Sequence, residues 1–280
     1  MKIGIIGNGF VGKATFLLKS QDLNIIAYDI NPDNCIPKGT TLESLKTCDV
    51  IFISVPTPMS KDGSCHLGII KSVFKDLKKI HYEGLVVLRS TVPPGTCNSL
   101  KCCFMPEFLT EKNYKDDFIN NKKWIFGLYD CDKIENNKKL LKKIINIAYE
   151  NNNIRFNTIE FVTTKEAEMI KMFRNVFLAT KVSLCNEFAQ YCMITNINYE
   201  NVRRIATEDE RIGPHHSKVP GPDEKKGFGG TCFPKDISSM HHDMKKNNVK
   251  PYILEAVIVR NNTVDRPTQD WKNNIGRAVV

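Results

Sequence analysis

Long apolar runs are missing from this 280-residue chain. None approaches the ~18 to 20 residues a membrane-spanning helix needs, so no membrane partner is expected. The opening Met-Lys-Ile-Gly-Ile-Ile-Gly is interrupted at once by glycine and asparagine, unlike the continuous apolar core of a signal peptide. A cytoplasmic protein is therefore expected. No internal repeat and no low-complexity linker separates independent domains. Metal-site spacing is also lacking: His215-His216 and His241-His242 have no cysteine or carboxylate partner at a recurring interval, so no metal is expected. The ten cysteines are scattered through apolar or helical stretches, which predicts reduced thiols rather than a disulfide framework. The net charge of +9 comes from lysines spread among acids, with no basic stripe interleaved by aromatics. A nucleic-acid partner is not expected, while an anionic substrate such as a nucleotide suits the balance. What remains, 41% hydrophobic and 25% charged residues, is the composition of a soluble globular protein of one large or two ordinary domains.

The first half reads as a dinucleotide platform. Lys2 to Ile6 is a short β-branched apolar run, as in a buried parallel strand. It leads into Gly7-Asn-Gly-Phe-Val-Gly12, a G-x-G-x-x-G in the strand-turn-helix setting that gives this motif its meaning. Gly7 would make the tight turn, Gly9 would let backbone approach a pyrophosphate, and Gly12 would let helix meet strand, with Phe10 and Val11 between them. A second strand, Asn24 to Tyr28, ends in Asp29, where an acid binds adenosine ribose hydroxyls and favours NAD over NADP. Strands over 49–55 and 85–88 end in Pro56-Thr57-Pro58 and in Ser90-Thr91, separated by helical spacing such as 67–78. This alternation predicts a doubly wound parallel sheet with ligands at the strand C-termini.

Between Asn113 and Asn153 the chain carries one more strand, 124–128, and an amphipathic helix, 134–149. From Thr164 to Met193 apolar residues recur at helical steps: Ala167, Ile170, Phe173, Val176, Phe177, Leu184 and Phe188. Thr164 reads as its N-cap. A helix of some thirty residues is more natural as a packing axis shared by two subunits than inside one compact domain, so a homodimer through 164–193 is expected. Lys171 and Asn175 share one face of it. Further on, the segment Gly227-Phe-Gly-Gly-Thr-Cys-Phe-Pro-Lys-Asp236 places Cys232 behind glycines that admit a close ligand and before a proline that favours a helix start. Near that helix N-terminus and beside Lys235 its thiolate would be favoured, as a nucleophile requires.

Taken with Val55-Pro-Thr-Pro58, Ser90-Thr-Val-Pro-Pro-Gly-Thr96, Pro106-Glu-Phe-Leu-Thr-Glu111 and Lys171-Met-Phe-Arg-Asn175, in one order, these motifs resemble the UDP-glucose/GDP-mannose dehydrogenase family over roughly residues 1–265. The resemblance implies a Rossmann-type domain over 1–160, then a long connecting helix and a small all-α dimerisation domain over 161–280. It implies NAD-dependent oxidation of a sugar C6 hydroxymethyl to a carboxylate in two hydride transfers, with UDP-glucose as leading substrate and Cys232 holding the intermediate as thiohemiacetal and thioester. Sugar acids of this kind feed polysaccharide biosynthesis. By the same resemblance Lys171 and Asn175 handle the oxygen at C6, Asp236 and Thr91 assist proton transfer or position water, and Glu107 activates the water of hydrolysis. Glu107, Phe108, Leu109, Thr110, Glu111 and Gly229 face the substrate, while Pro56, Thr57, Thr91, Glu111 and Lys235 lie near the cofactor. Arg211 would reach the partner subunit's substrate.

There are departures. Family members usually carry a further C-terminal domain that closes over the nucleotide, whereas this sequence stops at Val280, so a short form is expected. Thr110 stands where many members have arginine, and Asn31 to Asn34 lacks the basic residue often found near the adenosine. Two other functions stay open at this point. One is a single hydride transfer of the β-hydroxyacid-dehydrogenase kind, which shares Lys-x-x-x-Asn but needs no cysteine segment. The other is an NAD-binding protein that no longer turns over.

Overall fold

A computed structural model describes residues 1–280. Seven strands form one sheet: β1 (Lys2–Ile6), β2 (Asn24–Tyr28), β3 (Val50–Ile53), β4 (Leu85–Leu88), β5 (Cys103–Phe104), β6 (Trp124–Leu128) and β7 (Ile159–Thr163). Their order is β2-β1-β3-β4-β5-β6-β7. All neighbouring pairs are parallel except β5 and β6, which meet antiparallel at a single register pair, Phe104 opposite Gly127. The helices are α1 (Phe10–Phe16), α2 (Gly68–Lys79), α3 (Thr96–Leu100), α4 (Tyr114–Ile119), α5 (Ile134–Glu150), α6 (Thr164–Ile194), α7 (Tyr199–Ala206), α8 (Phe233–Lys246) and α9 (Tyr252–Arg260). None is long and apolar enough to cross a membrane.

The chain divides into two compact units. The first comprises Met1–Thr57 and Leu67–Lys171, the second Pro58–His66 and Met172–Val280. The sequence reading places its division at 160/161, whereas the units part inside α6, and the excursion Pro58–His66 groups with the second unit.

In the first unit, side chains alternate between the two faces of the sheet, as the pleat requires. Ile3, Ile5, Phe52 and Val87 pack with Ala14 of α1, Leu18 just after it, and Leu141 and Ile144 of α5. Ile6, Ile51, Ile53 and Leu88 pack with Ile70 and Leu77 of α2, Cys97 of α3 and Ala167 of α6. Each of the Ile, Leu, Val and Phe side chains among these contributes about 1.5–3 kcal/mol by leaving water. With both faces covered, the strands read as near-continuous apolar runs.

Helix α6 opens with a capping box. Thr163 Oγ1 accepts the Glu166 N–H at 3.3 Å, and Glu166 returns a carboxylate to the Thr163 N–H at 2.8 Å. The cap is thus Thr163 rather than Thr164, whose position is taken by the first helical residue. The second unit has its own core, built from Met172, Ala179, Phe228, Ile237, Met240, Leu254 and Val257. Its excursion Pro58–His66 is tied down where Met59 N–H donates to Ala278 O at 2.8 Å and Val280 N–H donates to Met59 O at 3.0 Å. Sequence periodicity continues α9 to residue 262, but the helix gives way to a π turn, Asn261–Asp265.

Candidate functional site

The predicted cofactor residues other than Lys235, which lies in α8 of the second unit, belong to the first unit, most of them at the C-terminal ends of its strands, where doubly wound sheets bind ligands. Gly7, Gly9, Phe10, Val11 and Gly12 form the β1–α1 turn, Asp29 follows β2, Pro56 and Thr57 follow β3, and Thr91 follows β4. The glycines do different work. Gly7 has φ +85, and a Cβ there would lie 2.7 Å from the Ser54 carbonyl oxygen. A Cβ at Gly12 would overlap the Gly7 carbonyl oxygen, whereas one at Gly9 would meet no protein atom within 4 Å. The open face at Gly9 fits a pyrophosphate. Asn8 lies beneath it, 1% exposed, with its Oδ1 unpartnered. Asp29 is oriented by the Asn8 N–H at 2.7 Å and the Asn31 N–H at 2.9 Å, leaving carboxylate lone pairs for ribose hydroxyls. Thr57 Oγ1 donates to the Thr91 carbonyl at 2.8 Å, which joins the loops after β3 and β4. These residues fit NAD.

After β5, Glu107 turns inward. Its Oε1 accepts Lys171 Nζ at 2.6 Å and its Oε2 accepts the Leu109 N–H at 3.0 Å. Both partners are almost fully buried, and the ammonium lies 5.8 Å from the centre of the Phe108 ring. Burial alone would raise the Glu107 pKa, but the Lys171 charge and its hydrogen bond override this and hold the carboxyl below its usual range. Glu107 is therefore a fixed carboxylate. Thr110 is engaged elsewhere, its hydroxyl donating to Asp117 at 2.6 Å.

In the second unit, Cys232 is the N-cap of the 14-residue α8, with Pro234 in the first turn. The free amide groups of that turn and the helix dipole favour a thiolate. Its Sγ lies 3.8 Å from Thr231 Oγ1. One turn on, Asp236 is 1% exposed and accepts Asn175 Nδ2 at 2.5 Å and Lys235 Nζ at 2.6 Å. Burial works against the Lys235 charge, yet Asp236, with Cys232 adding to it, carries its pKa above the usual lysine range. Lys235 thus stays cationic beside the cysteine. Asn175, Lys235 and Asp236 form one connected group at the foot of the cysteine segment.

Arg211 stands apart from that group. Its side chain is 89% exposed and paired with Asp209 at 2.6 Å. Three features escaped sequence reasoning. Arg89, directly after β4, is fully buried: its Nη1 donates to Thr15 Oγ1 and, at 3.4 Å, to the Val11 carbonyl, and burial lowers its pKa to about 10. Glu168 is wholly buried and caps α3 by accepting the N–H groups of Gly95 and Cys97 at 2.5 and 2.7 Å. Asn261 binds the backbone of the cysteine segment. A charged residue closing an apolar strand was a visible signal for Arg89, but no local pattern marks the other two.

Two family models match the chain. The UDP-glucose/GDP-mannose dehydrogenase NAD binding domain covers residues 36–145, and the central domain of the same family covers 165–263. A UDP-glucose 6-dehydrogenase of Rickettsia bellii is 34% identical over 241 residues, covering 81% of this chain and 51% of that protein. One of Pseudomonas aeruginosa is 32% identical over 237 residues, 78% of this chain and 49% of the relative. This chain therefore spans about half the length of these curated relatives. Among solved structures, a UDP-glucose dehydrogenase from Pyrobaculum islandicum superposes with TM-score 0.78 at 24% identity, over 93% of this chain and 68% of that one. That likeness speaks for the fold.

Proposed function

Because the chain belongs to the UDP-glucose/GDP-mannose dehydrogenase family, we propose that it oxidises the C6 hydroxymethyl of a nucleotide sugar to a carboxylate, with UDP-glucose to UDP-glucuronate as first choice. The observation that carries the reading is the setting of Cys232: helix N-cap, glycine-rich approach, and a cationic Lys235 close by. NAD, when bound, accepts one hydride from C6 in each of two oxidations.

The residues divide the remaining chemistry. Lys171 handles the proton and charge at the C6 oxygen, and Glu107 holds its side chain in place. The Asn175 amide supplies a hydrogen-bond donor to the same oxygen, oriented by Asp236. The Cys232 sulfur adds to the aldehyde carbon to give a thiohemiacetal, so the reactive aldehyde is retained between oxidations. After the second oxidation the adduct is a thioester. Water adds to its carbonyl, the C–S bond breaks, and the thiol returns with the proton. Glu107, a carboxylate at neutral pH, is the base for that water; Asp236 and Thr91 help to position it. Arg211, with its side chain largely exposed, reaches the substrate of a partner subunit in a homodimer built on α6. All ten cysteines lie outside any disulfide, which suits a cytoplasmic enzyme, whose sugar-acid product would serve polysaccharide synthesis.

The test is stoichiometric. Incubation with NAD and UDP-glucose should yield two NADH per sugar acid, and Cys232→Ala should form no acid. One NADH per turnover with an active Cys232→Ala would mean a single hydride transfer instead.

A further inference from the structure

Three of the four residues from Gly227 to Gly230 have no side chain, so this stretch cannot order itself by packing and its unfolded freedom is large. Its order comes from elsewhere in the second unit. Asn261, fully buried, accepts the Phe228 N–H through Oδ1 at 2.8 Å and donates from Nδ2 to the Phe228 carbonyl at 3.0 Å. One amide thus satisfies both main-chain groups of one residue. Asn186 Oδ1 takes the Gly227 N–H at 3.1 Å. Arg266, 6% exposed, lies against Gly229, where a Cβ would overlap the guanidinium. That guanidinium is fixed by Asp270 at 2.6 and 2.8 Å and by Asp223 at 2.7 Å.

The π turn explains how Asn261 and Arg266 reach the same segment. Arg266 N–H bonds the Asn261 carbonyl at 2.8 Å, an i→i+5 pairing. In an uninterrupted α-helix, residues five apart would diverge by about 140° around the axis. The constraint is also carried past the cysteine. The Phe228 ring meets Phe233, the residue after Cys232, edge-on at 6.5 Å.

We propose that Asn261 and Arg266 are positioning residues for Cys232, clamping the glycine backbone so that the sulfur faces the reacting carbon. The proposal rests on the reading of Cys232 as nucleophile. Gly229 is glycine because Arg266 occupies the space a side chain would need, and Gly227, at φ +66, is glycine because a Cβ would overlap Asn261 Oδ1.

The experiment uses the full chain and the variants Asn261→Ser, Arg266→Lys, Gly229→Ala and Gly229→Ala/Arg266→Ala. Iodoacetamide alkylation of Cys232 is followed across pH by the mass of its peptide, alongside melting temperature and kcat and KM with NAD and UDP-glucose. Asn261→Ser and Arg266→Lys should lower kcat about 10- to 100-fold through misplacement of the reacting group, with KM moving far less. The alkylation rate of Cys232 should shift at least about threefold in protein that remains folded, because access and thiolate fraction both depend on placement. Gly229→Ala should lose kcat, and the added Arg266→Ala should recover part of it. Folded Asn261→Ser and Arg266→Lys with unaltered alkylation and kcat, or a lowered melting temperature as the sole effect, would overturn the proposal. If Asn261→Ser does not fold, the Gly229/Arg266 cycle decides: partial recovery supports the clamp, additive loss overturns it. Two NADH per acid from Cys232→Ala would sink the nucleophile reading instead, leaving the alkylation result to stand by itself.

Discussion

Gly9 and Gly12 lie three residues apart and answer to different neighbours. Gly12 has no room for a Cβ beside the Gly7 carbonyl, while Gly9 faces open space at an ordinary negative φ. Gly12→Ala should therefore lower the melting temperature, by overpacking of a kind that typically costs about 1–3 kcal/mol. Gly9→Ala should leave the melting temperature unchanged and weaken NAD binding at least about tenfold, since only a ligand approaching the backbone closely would meet the new methyl. Calorimetric titration and thermal unfolding of the two variants check both halves. Equal effects on stability would break the distinction.

The Glu107–Lys171 pair makes a second residue-scale prediction. Its partners are nearly inaccessible, so removing one leaves the other charge buried and uncompensated, a change that costs about 3–5 kcal/mol. The folded pKa of Glu107 lies below that of a free glutamate, about 4.3. Its stabilisation is thus complete above the unfolded value and is lost as pH falls through the folded one. Glu107→Gln should lower the urea midpoint at neutral pH and flatten the acid limb of stability against pH. A parallel downward shift at every pH would show that the pair is not the source.

At the scale of elements, α3 depends on a side chain from α6. Glu168 supplies the acceptors for two N–H groups of the α3 turn, and burial raises its pKa against those same hydrogen bonds. Glu168→Ala orphans both donors and should cost about 1–3 kcal/mol for each buried group left unpaired, read as a shift in denaturant midpoint. Sequence periodicity found β1 to β4, β6, α5 and α6, because each is a sustained run of period two, period 3.6 or unbroken apolarity. It missed β5, whose two residues are too few to carry a period, and β7, whose Glu160 and Thr163 break the apolar run. The glycine motif, Asp29 and the cysteine segment were legible as local chemistry. Asn261 was not: it lies 33 residues from its partner Phe228, and a π turn leaves no trace in hydrophobic spacing.

At the scale of the whole molecule, α6 leaves a stripe unused. Phe173, Phe177, Leu184, Phe188 and Tyr191 are 54–65% exposed. Phe173 and Phe177 stack on each other at 6.1 Å rather than on a partner element. A contiguous apolar stripe of this kind marks an association surface. The proposed homodimer predicts that the parent chain scatters light as a dimer and Phe177→Glu/Phe188→Glu as a monomer, with the far-UV helix signal intact. A monomeric parent chain, or unchanged mass in the variant, would overturn a dimer through this stripe.

The excursion Pro58–His66 has a further consequence, in the order of synthesis. The first unit is complete, by its own contacts, once Lys171 has been made. The excursion is not, because Met59 bonds Ala278, more than two hundred positions further along the chain. A ribosome therefore presents a finished nucleotide platform whose excursion has its own turn bonds but lacks its Ala278 and Val280 partners until the second unit folds. A single cut after Lys171 would release a domain that still carries a piece of its neighbour, so limited proteolysis should trim at 58–66 in any fragment ending there.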